Sequence, residues 1–201
     1  MKKKEAKKVA KKKVSKLKIG VSGQVGSFSE EAAKHYCHKN NIKNAKISYL
    51  TSAEGVLQGL DDGTIDKAVF PIENSNGGVV LEAVYAMSKH NFNIKKMFEI
   101  DVKHCLLIKK GANPSAIKKI TSHQQALRQC RMYLKRKWMD VELEEYSDTA
   151  SAAKDLSEGK FGESTAVIAS KSCAKLYGLD ILEEGIQDLK FNFTTFIVAT
   201  K

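Results

Sequence analysis

Along this chain a short apolar run, a polar turn and a stretch of helically spaced apolar residues follow one another in a repeating order. LKIGVSG, from Leu17, alternates apolar residues and ends in glycine. QVGSFSEEAAKHYCHKN follows, with Ser27 and Ser29 as candidate caps and Glu30 and Glu31 in the first turn. KISYL reads as a second strand, and SAEGVLQGLDDG as a short helix opened by Ser52 and closed by glycine. IDKAVFPI reads as a third strand whose pattern stops at Pro71, a residue with no N–H for a following ladder. Val79, Val80, Ala83, Val84 and Met87 then resume at helical spacing, which places Glu73 to Gly78 in a strand-to-helix turn.

After Asn93 the character changes. NIKKMFEIDVKHCLLIKKG offers two strand-like runs with no helix between them, which suits a crossing from one lobe to another. Beyond Pro114 the βα order returns. A strand around Ile117 to Thr121 leads through SHQQ into a helix with Leu127, Cys130, Met132 and Leu134 among its apolar positions. ELEEYSDTASAAKDLSEG gives strand, turn and helix again; TAVIAS is a buried strand, SCAKLYGL a helix ended by Gly178, and DILEEGIQD a linker. FNFTTFIVAT closes the chain as a strand, with Asn192, Thr194, Phe196 and Val198 on one face and Phe191, Phe193, Thr195 and Ile197 on the other.

Strands alternating with helices predict an α/β protein with largely parallel sheets. Four turns, GQVGSFS, ENSNGG, SHQQ and SDTA, each follow a strand and are expected to begin a helix. Helix N-termini gathered on one cleft make a receptor for a small anion without any cationic side chain. The glycines fit neither a dinucleotide fingerprint nor a phosphate-binding loop.

Composition narrows the function classes. The net charge is +11, but residues 1–18 hold ten lysines and one glutamate and so carry +9 of it. The body is nearly neutral and only three arginines occur, Arg128, Arg131 and Arg136, so a nucleic-acid partner is not expected of the folded part. The lysine-rich segment has no apolar run long enough for a signal peptide or membrane span and reads as a solvated tail. Cys37, Cys105, Cys130 and Cys173 lack CxxC spacing and suit reduced thiols in a cytoplasmic protein. His35, Cys37 and His38 do not make a metal site, because only the two histidines share a helix face.

Seven segments in order, GQVGSFSEEAA, AVFPIENSNGGVV, VKHCLL, TSHQQALRQC, DTASAA, AKLYGL and NFTTF, together resemble prephenate dehydratase over essentially all of Leu17 to Thr200. The resemblance implies a two-lobed α/β domain similar to periplasmic binding proteins of the second type, with the second lobe inserted into the first. On this chain that places a tail at 1–17, lobe 1 at 18–95 and 178–201, and lobe 2 at 96–177. It also implies a cytoplasmic lyase that needs no cofactor or metal and is capable of forming a homodimer. Most relatives continue into a phenylalanine-sensing regulatory domain; this chain stops after the last expected catalytic strand, as a truncated chain or a form without that domain would.

The implied reaction is loss of carbon dioxide and hydroxide, as water, from prephenate to give phenylpyruvate. Arogenate, its amino-acid analogue, is the alternative substrate, and a same-fold binder with weakened turnover is the rival class. By resemblance Thr194 serves the leaving hydroxyl as a hydrogen-bond donor, and Glu73, if buried, is the candidate acid. Asn74, Ser75 and Gly77 in the PIENSNGG turn are expected to orient substrate. Ser27, Ser122, Gln125 and Thr149 are expected to cap helices while aiming N–H groups into the cleft. Asn192 would fix the strand of Thr194, and Phe196 completes the motif. Two departures stand out: Thr195 occupies the usual arginine of Thr-Arg-Phe, and Asp148 the usual serine of Ser-Thr-Ala. Both are expected to weaken dicarboxylate binding.

Overall fold

The computed structural model describes residues 16–201, so most of the lysine-rich tail lies outside the described residues. The elements run β1 (Leu17–Val21), α1 (Phe28–Lys39), β2 (Ala45–Tyr49), α2 (Ala53–Asp61), β3 (Lys67–Asn74), β4 (Gly78–Val79), α3 (Leu81–Met87), β5 (Asn93–Asp101), β6 (Cys105–Ile108), β7 (Lys119–Ser122), α4 (Gln124–Gln129), α5 (Arg131–Lys137), β8 (Glu142–Glu145), α6 (Thr149–Ser157), β9 (Thr165–Ala169), α7 (Lys171–Tyr177), β10 (Asp180–Glu184) and β11 (Phe193–Thr200). They form two sheets, in the orders β2-β1-β3-β11-β5 and β10-β6-β9-β7-β8, with β4 added to β3. In the first sheet β1 pairs parallel with β2 and β3, while β11 runs antiparallel between β3 and β5. The protein is therefore two-lobed α/β with the second lobe inserted into the first, as expected.

Each sheet is buried by helices on both faces, which explains why its central strands read as continuous apolar runs. In lobe 1, Ala68, Phe70 and Ile197 face α2 and α3, while Ile19, Val21, Phe196 and Val198 face α1. In lobe 2, all five residues of β9 are buried, with α6 and α7 on one side and α4 and α5 on the other.

The lobe boundaries differ from the expected ones. β5 stays in the first sheet to Asp101, and the expected linker DILEEGIQD contains β10, which pairs antiparallel with β6 in the second. The crossings therefore lie at residues 102–104 and 185–192, not near 96 and 177. Strand pairing decides this: β5 has the apolar residues Phe98 and Ile100 packed against the α1 face of the first core. The two crossings are tied together by Val102 N–H to the Asn192 carbonyl at 2.7 Å and Ile186 N–H to the His104 carbonyl at 3.1 Å.

The PIENSNGG segment is a hairpin, not a direct strand-to-helix turn. β3 continues past Pro71 to Asn74, and β4 folds back on it with Asn74 opposite Gly78 and Glu73 opposite Val79. Gly78 supplies the positive φ, +77°, that the reversal needs. Helix α3 begins only at Leu81, with no side-chain cap. The helix expected after SHQQ is broken at Cys130, because the Asp188 carboxylate accepts the N–H groups of Met132 and Tyr133 at 2.8 Å and starts a new helix there. Met132, one of the apolar positions of the expected helix, is exposed on it.

Candidate active site

A cavity of about 370 Å³ opens between the lobes. All four polar turns reach it: Gly23, Gln24 and Ser27 to Ser29 from the first, Asn74 from the hairpin, His123 and Gln125 from the third, with Gln129 further along α4, and Ser147 to Thr149 from the fourth. Ser27 caps α1 by accepting the Glu30 N–H at 3.3 Å. Phe28 and Ser29 line the cleft, and their N–H groups have no acceptor within the helix. Glu30 holds this loop in shape: its carboxylate accepts the Gly26 N–H and the Tyr49 hydroxyl, each at 2.7 Å. Burial pushes the Glu30 carboxyl pKa up, but the bonds from Lys34, Gly26 and Tyr49 outweigh it and hold the group below its ordinary value.

A bulge in the β3–β11 ladder brings the far wall together. Pro71 pairs with Phe196, Glu73 with Thr195 and Asn74 with Thr194, leaving Ile72 as the extra residue. Pro71 and Asn74, three apart, consequently face the cleft together, alongside Thr194 and Phe196. The same register turns Glu73 and Thr195 to the opposite face.

At the lobe junction three side-chain amides close a ring. Asn74 Nδ2 donates to Asn192 Oδ1 at 2.8 Å, Asn192 Nδ2 to Gln129 Oε1 at 2.9 Å, and Gln129 Nε2 to Asn74 Oδ1 at 2.9 Å. Asn74 and Asn192 belong to lobe 1 and Gln129 to lobe 2. Backbone N–H groups of Asn76 (3.0 Å) and Gly77 (2.7 Å) also donate to Asn74 Oδ1. Asn74 Nδ2 lies 2.9 Å from Thr194 Oγ1, so the threonine oxygen accepts and its hydrogen is left for the cleft.

Of the expected site residues, Ser27, Asn74, Gln125, Thr149, Thr194 and Phe196 line the cavity. Asn192 is fully buried behind it, within the ring. Gly77 lies at the rim, where a Cβ would come within 1.9 Å of Gln125 Nε2. Five expectations are corrected. Glu73 is exposed and outside the lining, so the burial that an acid there requires is missing. Ser75 is exposed and clipped to β11, its Oγ accepting the Phe193 N–H at 3.0 Å. Ser122 spends its hydroxyl on the Ile168 carbonyl at 2.6 Å, within the second sheet. Gln125 and Thr149 do not cap either: α4 is capped by His123, whose Nδ1 accepts the Gln125 N–H, and α6 by Asp148, so both residues lie inside their helices.

The two departures also change meaning. Asp148 caps α6, with Oδ1 accepting the N–H groups of Ala150 and Ser151 at 2.9 and 2.8 Å and Oδ2 the Ser151 hydroxyl at 2.5 Å. It performs the cap a serine would provide and adds a charge. Thr195 stands between Glu73 and Glu99 on the face away from the cleft. Sequence reasoning missed Gln129 and His104; both sit inside quoted segments, RQC and VKHCLL, but nothing in their spacing aims them at the junction.

The sequence model of the family described as prephenate dehydratase matches residues 19–201. The chain belongs to the prephenate dehydratase family. It is 34% identical over 188 residues to Arogenate dehydratase 1 of Petunia hybrida, covering 93% of this chain and 43% of that protein. It is 33% identical to the bifunctional chorismate mutase/prephenate dehydratase of Buchnera aphidicola, covering 89% of this chain and 46% of that one. Among solved structures, the prephenate dehydratase of Arthrobacter aurescens in complex with L-Phe superposes with a TM-score of 0.83 at 26% identity, over 92% of this chain and 60% of that chain. The chain thus spans less than half the length of these curated relatives, and six of the seven family segments, all but AKLYGL, contribute residues to the cleft walls described above.

Proposed function

We propose that the interlobe cleft converts prephenate to phenylpyruvate. Breaking the ring-to-carboxylate bond releases carbon dioxide. Its electron pair restores the aromatic sextet and expels the hydroxyl at the opposite ring carbon, which leaves as water once it has a proton. The protein's tasks are to hold the substrate and to give the departing oxygen a hydrogen bond. The observation that carries this reading is the Asn74–Thr194 pair: a buried hydroxyl whose oxygen is already engaged presents only its hydrogen. The first turn of α1, where Phe28 and Ser29 line the cleft with N–H groups that have no acceptor within the helix, supports carboxylate binding. The test is incubation with prephenate at neutral pH, following phenylpyruvate absorbance in alkali; ligand binding with no product above the spontaneous rate would identify a binder without turnover.

A second reading, dehydration of arogenate to phenylalanine, rests on the charge of the lining. Glu82 and Asp148 line the cavity, and no lysine or arginine among the described residues does. Such a wall disfavours a dianion and suits a substrate that carries an ammonium as well. The ratio of kcat/KM for arogenate over prephenate decides it, a value above one favouring arogenate.

The dispersed cysteines, all free among the described residues, support a reducing compartment such as the cytoplasm. The exposed edge of β5 supports a homodimer. Antiparallel self-pairing about Met97 would set Lys95 of one copy against Glu99 of the other. Sedimentation of wild type beside Met97→Glu checks it: dimer for the first and monomer for the second is expected, and identical sedimentation of the two discards this surface.

A further inference from the structure

His104 lies on the crossing between β5 and β6, with its ring buried against Phe28 at the back of the cleft. Nε2 is 2.7 Å from Gln129 Oε1, while Nδ1 is buried with no hydrogen-bond partner. The proton on this ring can be assigned by following donors and acceptors inward from the backbone. Asn74 Oδ1 receives two backbone N–H groups, which can only donate, so that atom is oxygen. The Gln129 atom facing it must then be Nε2, which turns Gln129 Oε1 toward both Asn192 Nδ2 and His104. An oxygen there can only accept, so His104 carries its hydrogen on Nε2 and a bare lone pair on Nδ1. Burial pushes the imidazole pKa below its ordinary value, with the Gln129 bond opposing it, so the ring stays neutral.

We infer that His104 is a positioning residue for the reaction: its Nε2–H holds Gln129 so that the amide ring leaves Asn74 Nδ2 on Thr194 and the Thr194 hydrogen in the cleft. This rests on the dehydratase reading above. A merely space-filling histidine would not need the orientation the network imposes, and it leaves Nδ1 orphaned at a cost in stability. If the Nε2–H is lost, Gln129 Oε1 loses one of its two donors and the glutamine is free to turn over. A turned glutamine would present oxygen to the Asn74 oxygen, and the bond between lobes would break. The location fits the role, because the neighbouring backbone groups of His104 join the two crossings: its carbonyl accepts the Ile186 N–H, and its N–H donates to Gln187 Oε1 at 3.1 Å.

Glutamine places an amide nitrogen near the position of imidazole Nε2, and asparagine places one near Nδ1. The experiment compares His104→Gln, His104→Asn and His104→Leu by kcat and KM on whichever substrate the wild type turns over, with melting temperature as a fold check. His104→Leu and His104→Asn are expected to lose roughly ten- to hundredfold in kcat with KM within about threefold, and His104→Gln to recover most of that loss. Equal kcat in the Gln and Asn variants would overturn the inference. Nitrogen-15 spectra of the wild-type ring at neutral pH give a readout independent of turnover. An Nε2–H tautomer that is lost in Gln129→Leu supports the relay, and an Nδ1–H tautomer or an imidazolium refutes it. Absence of turnover in the wild type would remove the dehydratase reading while the spectra still decide the histidine.

Discussion

Asn74 and Thr194 are direct partners across the β3–β11 ladder, and the Asn74 side-chain amide donates to the Thr194 oxygen at 2.9 Å. The acceptor side of this hydroxyl is thereby occupied from behind, and its hydrogen is the part left for a ligand. An alcohol is too weak an acid to give up its proton outright, but a buried and oriented O–H can polarise a leaving hydroxyl as the aromatic ring forms.

Replacing Thr194 separates this function from packing. Thr194→Val keeps the shape and removes the hydrogen, and it should lower kcat by about 10²- to 10⁴-fold with little change in KM. Thr194→Ser, which keeps the hydroxyl, should stay within about tenfold of wild type. Steady-state kinetics check both, and a Val variant as active as the Ser variant would remove the hydroxyl from the mechanism.

Thr195 and Glu73 face away from the cleft, so the missing arginine should matter for stability more than for turnover. In Thr195→Arg the new guanidinium lies between Glu73 and Glu99 on the two neighbouring strands, where cross-strand pairs of opposite charge contribute about 0.2–1 kcal/mol each. Thermal unfolding should show a small gain, and kcat/KM should change by less than about threefold. Glu73→Gln should be similarly quiet in turnover. A tenfold gain in the first variant or a tenfold loss in the second would return that pair to the active site.

Much of this site was legible in the sequence. The four polar turns after strands marked the cleft walls, because chains that leave the carboxyl ends of parallel strands converge there. Lobe connectivity was legible as two successive strands without a helix. The bulge at Ile72 was not legible, and it alone reverses which residues of ENSN face inward; period-two counting across a strand fails at one inserted residue. Likewise, the break at Cys130 that ends α4 at Gln129 is set by Asp188, whose carboxylate arrives from nearly sixty residues away. Gln129 and His104 depend on that tertiary geometry, so no local pattern could announce them.

Gly77 gives a test of the rim. A methyl group there would sit 1.9 Å from Gln125 Nε2 and 3.3 Å from Asn74 Oδ1, the second a tight contact that a shift of a few tenths of an ångström relieves. The long glutamine side chain can swing away, so Gly77→Ala should fold normally and displace the Gln125 amide from the cleft. Losing one amide donor to a charged carboxylate costs about 1.5–3 kcal/mol, or roughly ten- to hundredfold in KM, with kcat less affected. Gln125→Ala should reproduce the KM effect, and the double variant should add little to either. Additive effects would mean that Gly77 acts by another route.

Far from the cleft, His90 fastens the segment after α3 to α2 and makes stability depend on pH. Its Nδ1 lies 2.6 Å from Asp61 Oδ2 and its Nε2 3.2 Å from Glu54 Oε1, so both nitrogens donate when the ring is charged. The bond to Asp61 raises the imidazole pKa most; burial opposes this, and Glu54 raises it further. Lys201 foremost, then His90, holds the Asp61 carboxyl below its ordinary value, and Lys89 and then His90 do the same for Glu54. A raised histidine stabilises the fold fully below its unfolded value and loses that contribution as pH rises through its folded value. The lowered carboxyls contribute above their unfolded values and lose it as pH falls through their folded values. The cluster therefore stabilises most between about pH 4.5 and 6.5, the ordinary values for Glu54 and His90. His90→Gln should accordingly lower the melting temperature clearly at about pH 5.5 and much less at about pH 9. A deficit of equal size at both would show that the ring is neutral throughout and that only its packing holds α3 to α2.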